Sequence, residues 1–262
     1  MRDMAAQHPD QGRIRQSFRR GLESYHRNAS VQAEIAARLA QMLQEEGAPG
    51  RFGAALEFGC GTGHLTRQLL QRFDIGSLVL NDLVPEAALG LKELQPAPPQ
   101  ARFECGPIES LVLPQDLDLI ASASTVQWIP DLPALTAQLA AHLKPGGWLA
   151  LSGFGRRQFH ELAALGSGAA APSYLDAADW PAVLPEGVEI LAVEQAPAVL
   201  EFGSAVALLK HLRQTGVNGQ ARQNWSRRRL QEFEAAYQAR FGRGGKLPLT
   251  YDPVLLVARK TG

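Results

Sequence analysis

Cysteine is scarce in this sequence. There are two in 262 residues, Cys60 and Cys105, and neither has a second thiol at metal-ligand spacing. That argues against a disulfide framework and a paired-cysteine zinc site, and it fits a reducing compartment. A surplus of charge is missing too: 26 basic residues face 26 acidic ones, for a formal net charge of zero. No overall field draws such a chain to nucleic acid or to an anionic membrane, so electrostatic recognition must come from local clusters. No apolar run approaches the ~18 residues of a membrane span. The stretch MRDMAAQHPDQGRIRQ lacks the apolar core of a secretory signal. The expected setting is the cytoplasm. What remains is ordinary globular composition, 45% hydrophobic and 20% charged, enough for one large domain or one domain with an inserted cap.

No internal repeat interrupts the chain. Apolar residues recur at helical spacing from Ile14 to about Gln44, with Phe18, Leu22 and Tyr25 on one stripe and Val31, Ile35, Leu39 and Leu43 on another. Asn28 or Ser30 is a candidate cap for the second helix. From Ala54 to Ser152, short strand-like runs alternate with helical ones. The strand-like runs are 54–58, 78–80, 102–105, 117–121 and 148–152, which predicts βαβ units and a parallel sheet. After Phe154 the alternation breaks. Residues 156–185 read as helical pieces, 188–200 as one strand, 205–213 and 227–241 as helices, and 249–258 as a final strand.

The segment LEFGCGTGHL puts Gly59, Gly61 and Gly63 between the first strand and the first helix of this alternating region. A chain that only had to turn would need one glycine. Three permit positive φ and the close approach of a ligand to the backbone, beyond the carboxyl end of a strand where α/β sheets bind their ligands. The N–H groups at the helix start can hold a polar group. Asp82 ends LVLND, the next strand, 19 residues after Gly63. That is the place for an acceptor of ribose hydroxyls, although a turn residue ahead of Pro85 would look the same. Glu57 lies inside the strand just before the loop, where a carboxylate suits a cationic ligand and not a pyrophosphate.

LEFGCGTG resembles motif I of the Rossmann-like class I S-adenosylmethionine-dependent methyltransferases. FECGPIESLVLP, LDLIASASTVQWIPD and LKPGGWLALSGFG are similar to the third, fourth and fifth strand segments of that family. The resemblance implies an α/β fold with a mostly parallel sheet, helices on both faces, an N-terminal helical lid and an inserted helical cap in the C-terminal half. It divides the chain into a lid segment 1–47, a cofactor-binding core 48–155, and residues 156–262 as substrate cap plus strands completing the sheet. The cofactor it implies is S-adenosylmethionine, leaving as S-adenosylhomocysteine. The contacts carried over are Glu57, Gly59, Cys60, Gly61, Thr62, Gly63, Asn81, Asp82, Leu83, Pro107, Ile108 and Ser122. Pro107 departs from the pattern, because an acidic residue in that place commonly reads the adenine amino group. No metal is implied.

The flanks narrow the resemblance. SFRRGLESYHRNASVQ, STVQW, LLKHLRQTG and GKLPLTYDPVLLVARK are similar to the malonyl-acyl-carrier-protein O-methyltransferases of early biotin synthesis. That family implies methylation of the free carboxylate of a malonyl thioester on acyl carrier protein. Tyr25 and Gln127 are then the candidate positioning residues at the methyl donor. Trp128, Lys210 and Arg213 are candidates for the acceptor, with plain core packing equally open to Trp128 and a solvated helix face equally open to Lys210 and Arg213. His160 and His211 read as surface residues of helices. An acidic carrier would need a basic patch, and Arg13, Arg15, Arg19, Arg20 and Arg27 offer one, Arg222 with Arg227, Arg228 and Arg229 another. A methyltransferase for a free small carboxylic acid, a non-catalytic cofactor-binding module and a dinucleotide oxidoreductase are the rival readings. The G-C-G-T-G spacing and Glu57 argue against the last.

Overall fold

The computed structural model describes residues 30–91, 100–166, 171, 173–214 and 226–262. It opens with helix α1 (Ser30–Glu45), where the predicted stripe Val31, Ile35, Leu39 and Leu43 is buried. A Rossmann-like core follows: β1 (Arg51–Phe58), α2 (His64–Arg72), β2 (Asp74–Asp82), α3 (Ala87–Leu91), β3 (Gln100–Cys105), β4 (Leu117–Ser122), α4 (Leu132–His142) and β5 (Leu143–Phe154). Helix α4 starts cleanly because the Asp131 side chain accepts the Ala134 N–H at 3.0 Å.

The remaining elements are α5 (His160–Ala164), β6 (Val188–Gln195), β7 (Ala198–Phe202), α6 (Ala205–Gln214), α7 (Arg227–Phe241), β8 (Leu247–Tyr251) and β9 (Pro253–Lys260). Seven strands form one sheet in the order β3-β2-β1-β4-β5-β9-β6. The first five run parallel, and β9 is antiparallel to both β5 and β6. The chain fills one side of β1 with β2 and β3, then crosses to lay β4 on the other side. The crevice between β1 and β4 is the topological switch point, where such sheets bind ligands.

The central strands β4, β5 and β9 and the second half of β1 are covered on both faces and are mostly apolar, whereas the edge strand β3 is exposed along nearly all its length. Alternate residues feed two separate cores. Ala55, Leu119, Ala150 and Val257 join the core with α1 and α2, while Leu56, Ile120, Leu149 and Leu256 join the core with α4. Fully burying one such leucine contributes roughly 1.5–3 kcal/mol. Among the described residues no helix is long and apolar enough to cross a membrane.

Two strand expectations need correction. Residues 188–200 are not one strand: β6 pairs with β9 in the large sheet, whereas β7 pairs with β8 in a separate two-stranded sheet. Pro197 lies between them and cannot donate to a ladder. Residues 249–258 are likewise split, by Asp252. This side chain is fully buried. It accepts from the Arg157 N–H at 3.0 Å and from Gln195 Nε2 at 3.1 Å, while its own N–H donates to Gln158 Oε1 at 2.8 Å. Such a node fixes the break between β8 and β9 more firmly than apolar periodicity could reveal.

Candidate active site

A cavity opens at the carboxyl ends of β1 to β4, with about 1190 Å³ of empty space, open solvent included. Each strand end contributes one stretch of wall: Gly59 to Thr62, Asp82 with Leu83, Gly106 to Glu109, and Ala123 to Thr125 followed by Trp128. Helix α1 closes one side with Gln32 and Ala36. Gly59, Gly61 and Gly63 all have positive φ, at 64°, 52° and 78°. Their reasons differ. A Cβ on Gly59 would run into the Thr125 side chain, whereas a Cβ on Gly61 would meet nothing within 4 Å and would stand in the empty cavity. The first glycine serves packing between β1 and β4, and the second keeps the ligand space open.

Asp82 serves the loop and faces the cavity at once. Its Oδ2 accepts the Gly61 N–H at 2.8 Å and its Oδ1 accepts the Val84 N–H at 2.8 Å. Each oxygen keeps a second lone pair, and the residue lines the cavity. Burial pushes its carboxyl up, against the pull of these backbone N–H groups. Glu57 is 1% exposed, and its Oε2 has no hydrogen-bond partner among the described residues. Desolvation pushes the Glu57 carboxyl up to about 8; Thr66 offsets part of this and Asp82 adds to it. A buried carboxylate without a countercharge is unfavourable, so this wall suits a ligand that brings a positive group. Ile108 and Leu83 add apolar surface to the wall that also holds the Asp82 carboxylate.

Several expected site residues take other places. Ser122 is fully buried, its hydroxyl donates to the Phe58 carbonyl at 2.7 Å, and it is not in the cavity wall. The chain turns one residue later than the alternation suggested, so Ala123, Ser124 and Thr125 face the ligand space. Asn81 touches the cavity, but its amide is spent on the carbonyls of Glu104 and Gly106, both at 2.9 Å. It holds the β3 loop in place. Gln127 is 3% exposed and stands behind the wall, with Nε2 donating to the Ser124 carbonyl at 2.7 Å. Its geometry is that of a support for Ser124. Lys210 and Arg213 are exposed on α6 and do not line the cavity. His211 is not a surface residue: it is half-buried, and its Nε2 lies 2.8 Å from the Tyr251 hydroxyl. Tyr25 and the cluster Arg13 to Arg27 lie outside the described residues, as does Arg222.

Other wall residues were not anticipated. Pro107 starts a 3-10 turn over Ile108–Ser110, and the turn brings Glu109 round to the cavity. An acidic group therefore stands two residues beyond the place where Pro107 departs from the family pattern; the signal was the acid in IES. Ser124 adopts φ 57°, rare for a residue with a side chain, and its N–H donates to the Ser152 carbonyl at 3.1 Å. Gln32, Ala36, His64, Leu65 and Ile129 also line the cavity.

The parallel sheet with one reversed strand, the glycine loop and the acid at the end of β2 define a class I methyltransferase fold. A family model described as a methyltransferase domain matches residues 55–147. Among solved structures, the N-methyltransferase NodS of Bradyrhizobium japonicum, in complex with S-adenosyl-L-homocysteine, superposes with a TM-score of 0.57 at 16% identity. The match covers 95% of this chain and all of NodS.

At the level of the whole chain the likeness is closer. Malonyl-[acyl-carrier protein] O-methyltransferase of Acinetobacter baylyi is 36% identical over 253 residues, covering 95% of this chain and 96% of the relative. The protein of the same name from Chlorobium luteolum is 34% identical over 255 residues, covering 96% of each. The chain belongs to the malonyl-[acyl-carrier protein] O-methyltransferase family.

Proposed function

We propose that this chain methylates the free carboxylate of a malonyl thioester carried on acyl carrier protein, using S-adenosylmethionine. The observation that carries the acceptor is family likeness over about 95% of the chain. At that coverage it takes in most of residues 156–262, where a class I core alone would say nothing of the acceptor. The cofactor reading is supported by Glu57, whose buried, unpartnered Oε2 suits an ammonium group, and by the empty space over Gly61.

When bound, S-adenosylmethionine supplies an electrophilic methyl group together with its own leaving group. The residues of this chain bind, orient and exclude water. Asp82 accepts ribose hydroxyls, Gly59 to Gly63 with Cys60 and Thr62 allow backbone approach, and Leu83, Pro107 and Ile108 enclose the base. A malonyl carboxylate is already ionised at neutral pH, so the acceptor needs no general base. Alignment alone can contribute roughly 7–11 kcal/mol. Trp128 borders the acceptor, and Gln127 supports it through Ser124. Tyr25, within the segment 1–47, closes over the donor as part of a lid. Residues 48–155 form the cofactor core and 156–262 the substrate cap. Lys210 and Arg213 serve the carrier or its phosphopantetheine from outside the cavity. The reaction opens pimeloyl formation for biotin, in the cytoplasm.

The test is incubation with labelled S-adenosylmethionine and malonyl-acyl carrier protein, with malonyl-coenzyme A and free malonate alongside. The expected result is a mass gain of one methyl group on the carrier-bound acyl group and little or none on malonate. Equal or faster labelling of malonate would overturn the carrier reading.

A further inference from the structure

The cavity wall holds buried polar atoms that meet no partner among the described residues. Among these are Glu57 Oε2, Thr62 Oγ1 and both amide atoms of Gln32. In the loop after β4, the Ser124 hydroxyl is in the same state. Gln32 is the most unusual member. It is 4% exposed on α1, with Ala36 one turn further along the same face, and the two are the α1 residues in the wall. The neighbouring positions of that helix, Val31, Ile35 and Leu39, are apolar and buried. If packing alone mattered, leucine or methionine would fill position 32 without leaving a donor pair and an acceptor unsatisfied.

The chemistry of the group narrows what would satisfy it. Glu57 offers an acceptor suited to a cation. The Gln32 amide offers two N–H donors and one carbonyl, and Thr62 a hydroxyl. A nucleoside alone would leave most of these unmet. A zwitterionic α-amino acid group meets them, since its ammonium needs acceptors and its carboxylate needs donors. We propose that Gln32 binds the amino-acid end of the methyl donor, its Nε2 donating to the ligand carboxylate while Glu57 takes the ammonium. This rests on reading the cavity as the S-adenosylmethionine site, and it adds a residue of the N-terminal helix to it. The consequence is that α1 senses whether the donor carries its tail.

The experiment compares two ligands that differ in that tail. S-adenosylhomocysteine has the amino-acid end, and 5′-methylthioadenosine keeps the nucleoside and thioether without it. Both are titrated calorimetrically into wild-type protein and into Gln32→Leu and Gln32→Glu. The expected result is a loss of roughly tenfold or more for S-adenosylhomocysteine in both variants, the scale of one hydrogen bond to a charged group, with 5′-methylthioadenosine changed less than twofold. Unliganded Gln32→Leu should melt at the same temperature as wild type or higher, because an unsatisfied buried amide has gone. A residue that served only packing would not give that opposition of stability and affinity. Unchanged S-adenosylhomocysteine affinity overturns the proposal, as does equal weakening of both ligands. Should Gln32→Leu fail to fold, Gln32→Glu decides on the same criterion. Wild-type protein that binds neither ligand would overturn the donor reading itself.

Discussion

The Gly61 N–H donates to Asp82 Oδ2 at 2.8 Å, so the acid at the end of β2 holds the middle of the glycine loop that ends β1. The same carboxylate accepts the Val84 N–H through Oδ1, which fixes the turn into α3. One side chain therefore shapes two walls of the cavity before any ligand arrives. Pre-ordering of this kind reduces what binding must spend on immobilising loops.

Asp82→Ala should consequently weaken S-adenosylhomocysteine by about 1.5–3 kcal/mol, the scale of hydrogen bonds to a charged group, or roughly 10- to 150-fold in Kd. Calorimetric titration measures it. Circular dichroism melting separates loss of the loop from loss of the fold. A change of less than twofold would reduce Asp82 to a turn residue that does not touch the ligand.

Much of this was readable in the sequence because backbone geometry demanded it. Three glycines in LEFGCGTG answer to positive φ at 59, 61 and 63, and the spacing to Asp82 follows from one βαβ unit. The wall after β4 was harder. Ser122 is carried over as a ligand contact just past the strand-like run 117–121, yet the strand includes it and the turn is made by Ser124 in a left-handed conformation, which local propensity does not announce. The breaks at Pro197 and Asp252 depend on tertiary pairing with strands far away in sequence. Gln32 was visible only as one polar residue in an amphipathic helix, where solvent exposure is the ordinary reading. Its burial depends on α1 packing against α2 and the sheet, and no single stretch of sequence states that.

Glu57 gives a prediction about pH. Burial raises its carboxyl to about 8 in the unliganded protein. A group raised on folding favours the folded state while protonated, so its contribution is complete below the ordinary carboxyl range and is lost as pH climbs through about 8. A ligand ammonium instead requires the carboxylate. Below pH 8, binding must therefore release a proton, and affinity for S-adenosylhomocysteine should rise with pH by up to roughly tenfold per unit between 6 and 8 before levelling. His64, Asp82 and Glu109 also face the cavity, so Glu57→Gln is the control: it should bind more weakly and with a flatter profile. Calorimetry in two buffers of different ionisation enthalpy counts the protons. A pH-independent wild-type affinity with no proton release would contradict this account of Glu57.

Docking of the carrier gives the last prediction. Helix α7 begins with Arg227, Arg228 and Arg229 directly after the Ser226 cap, and there is no acidic residue in its first turn. Positive charge at a helix N-terminus opposes the helix dipole, so the dipole gives this arrangement no stabilisation. Arg228 has one exposed partner, Glu232 at 3.5 Å, an exposed pair of small value. An acidic carrier would turn the same cluster into an attraction that acts mainly on encounter rate. Arg227→Glu with Arg228→Glu should therefore raise KM for malonyl-acyl carrier protein several-fold, with kcat and activity on malonyl-coenzyme A little changed. The melting temperature should hold or rise, because acidic residues suit the first turn. Salt screens such charges over about 8–10 Å, so wild-type activity on the carrier substrate should fall as salt rises and the variant should respond less. Equal loss on both substrates would point to a damaged fold. An unchanged KM with salt-independent kinetics would remove this helix from the docking surface and turn attention to Lys210 and Arg213.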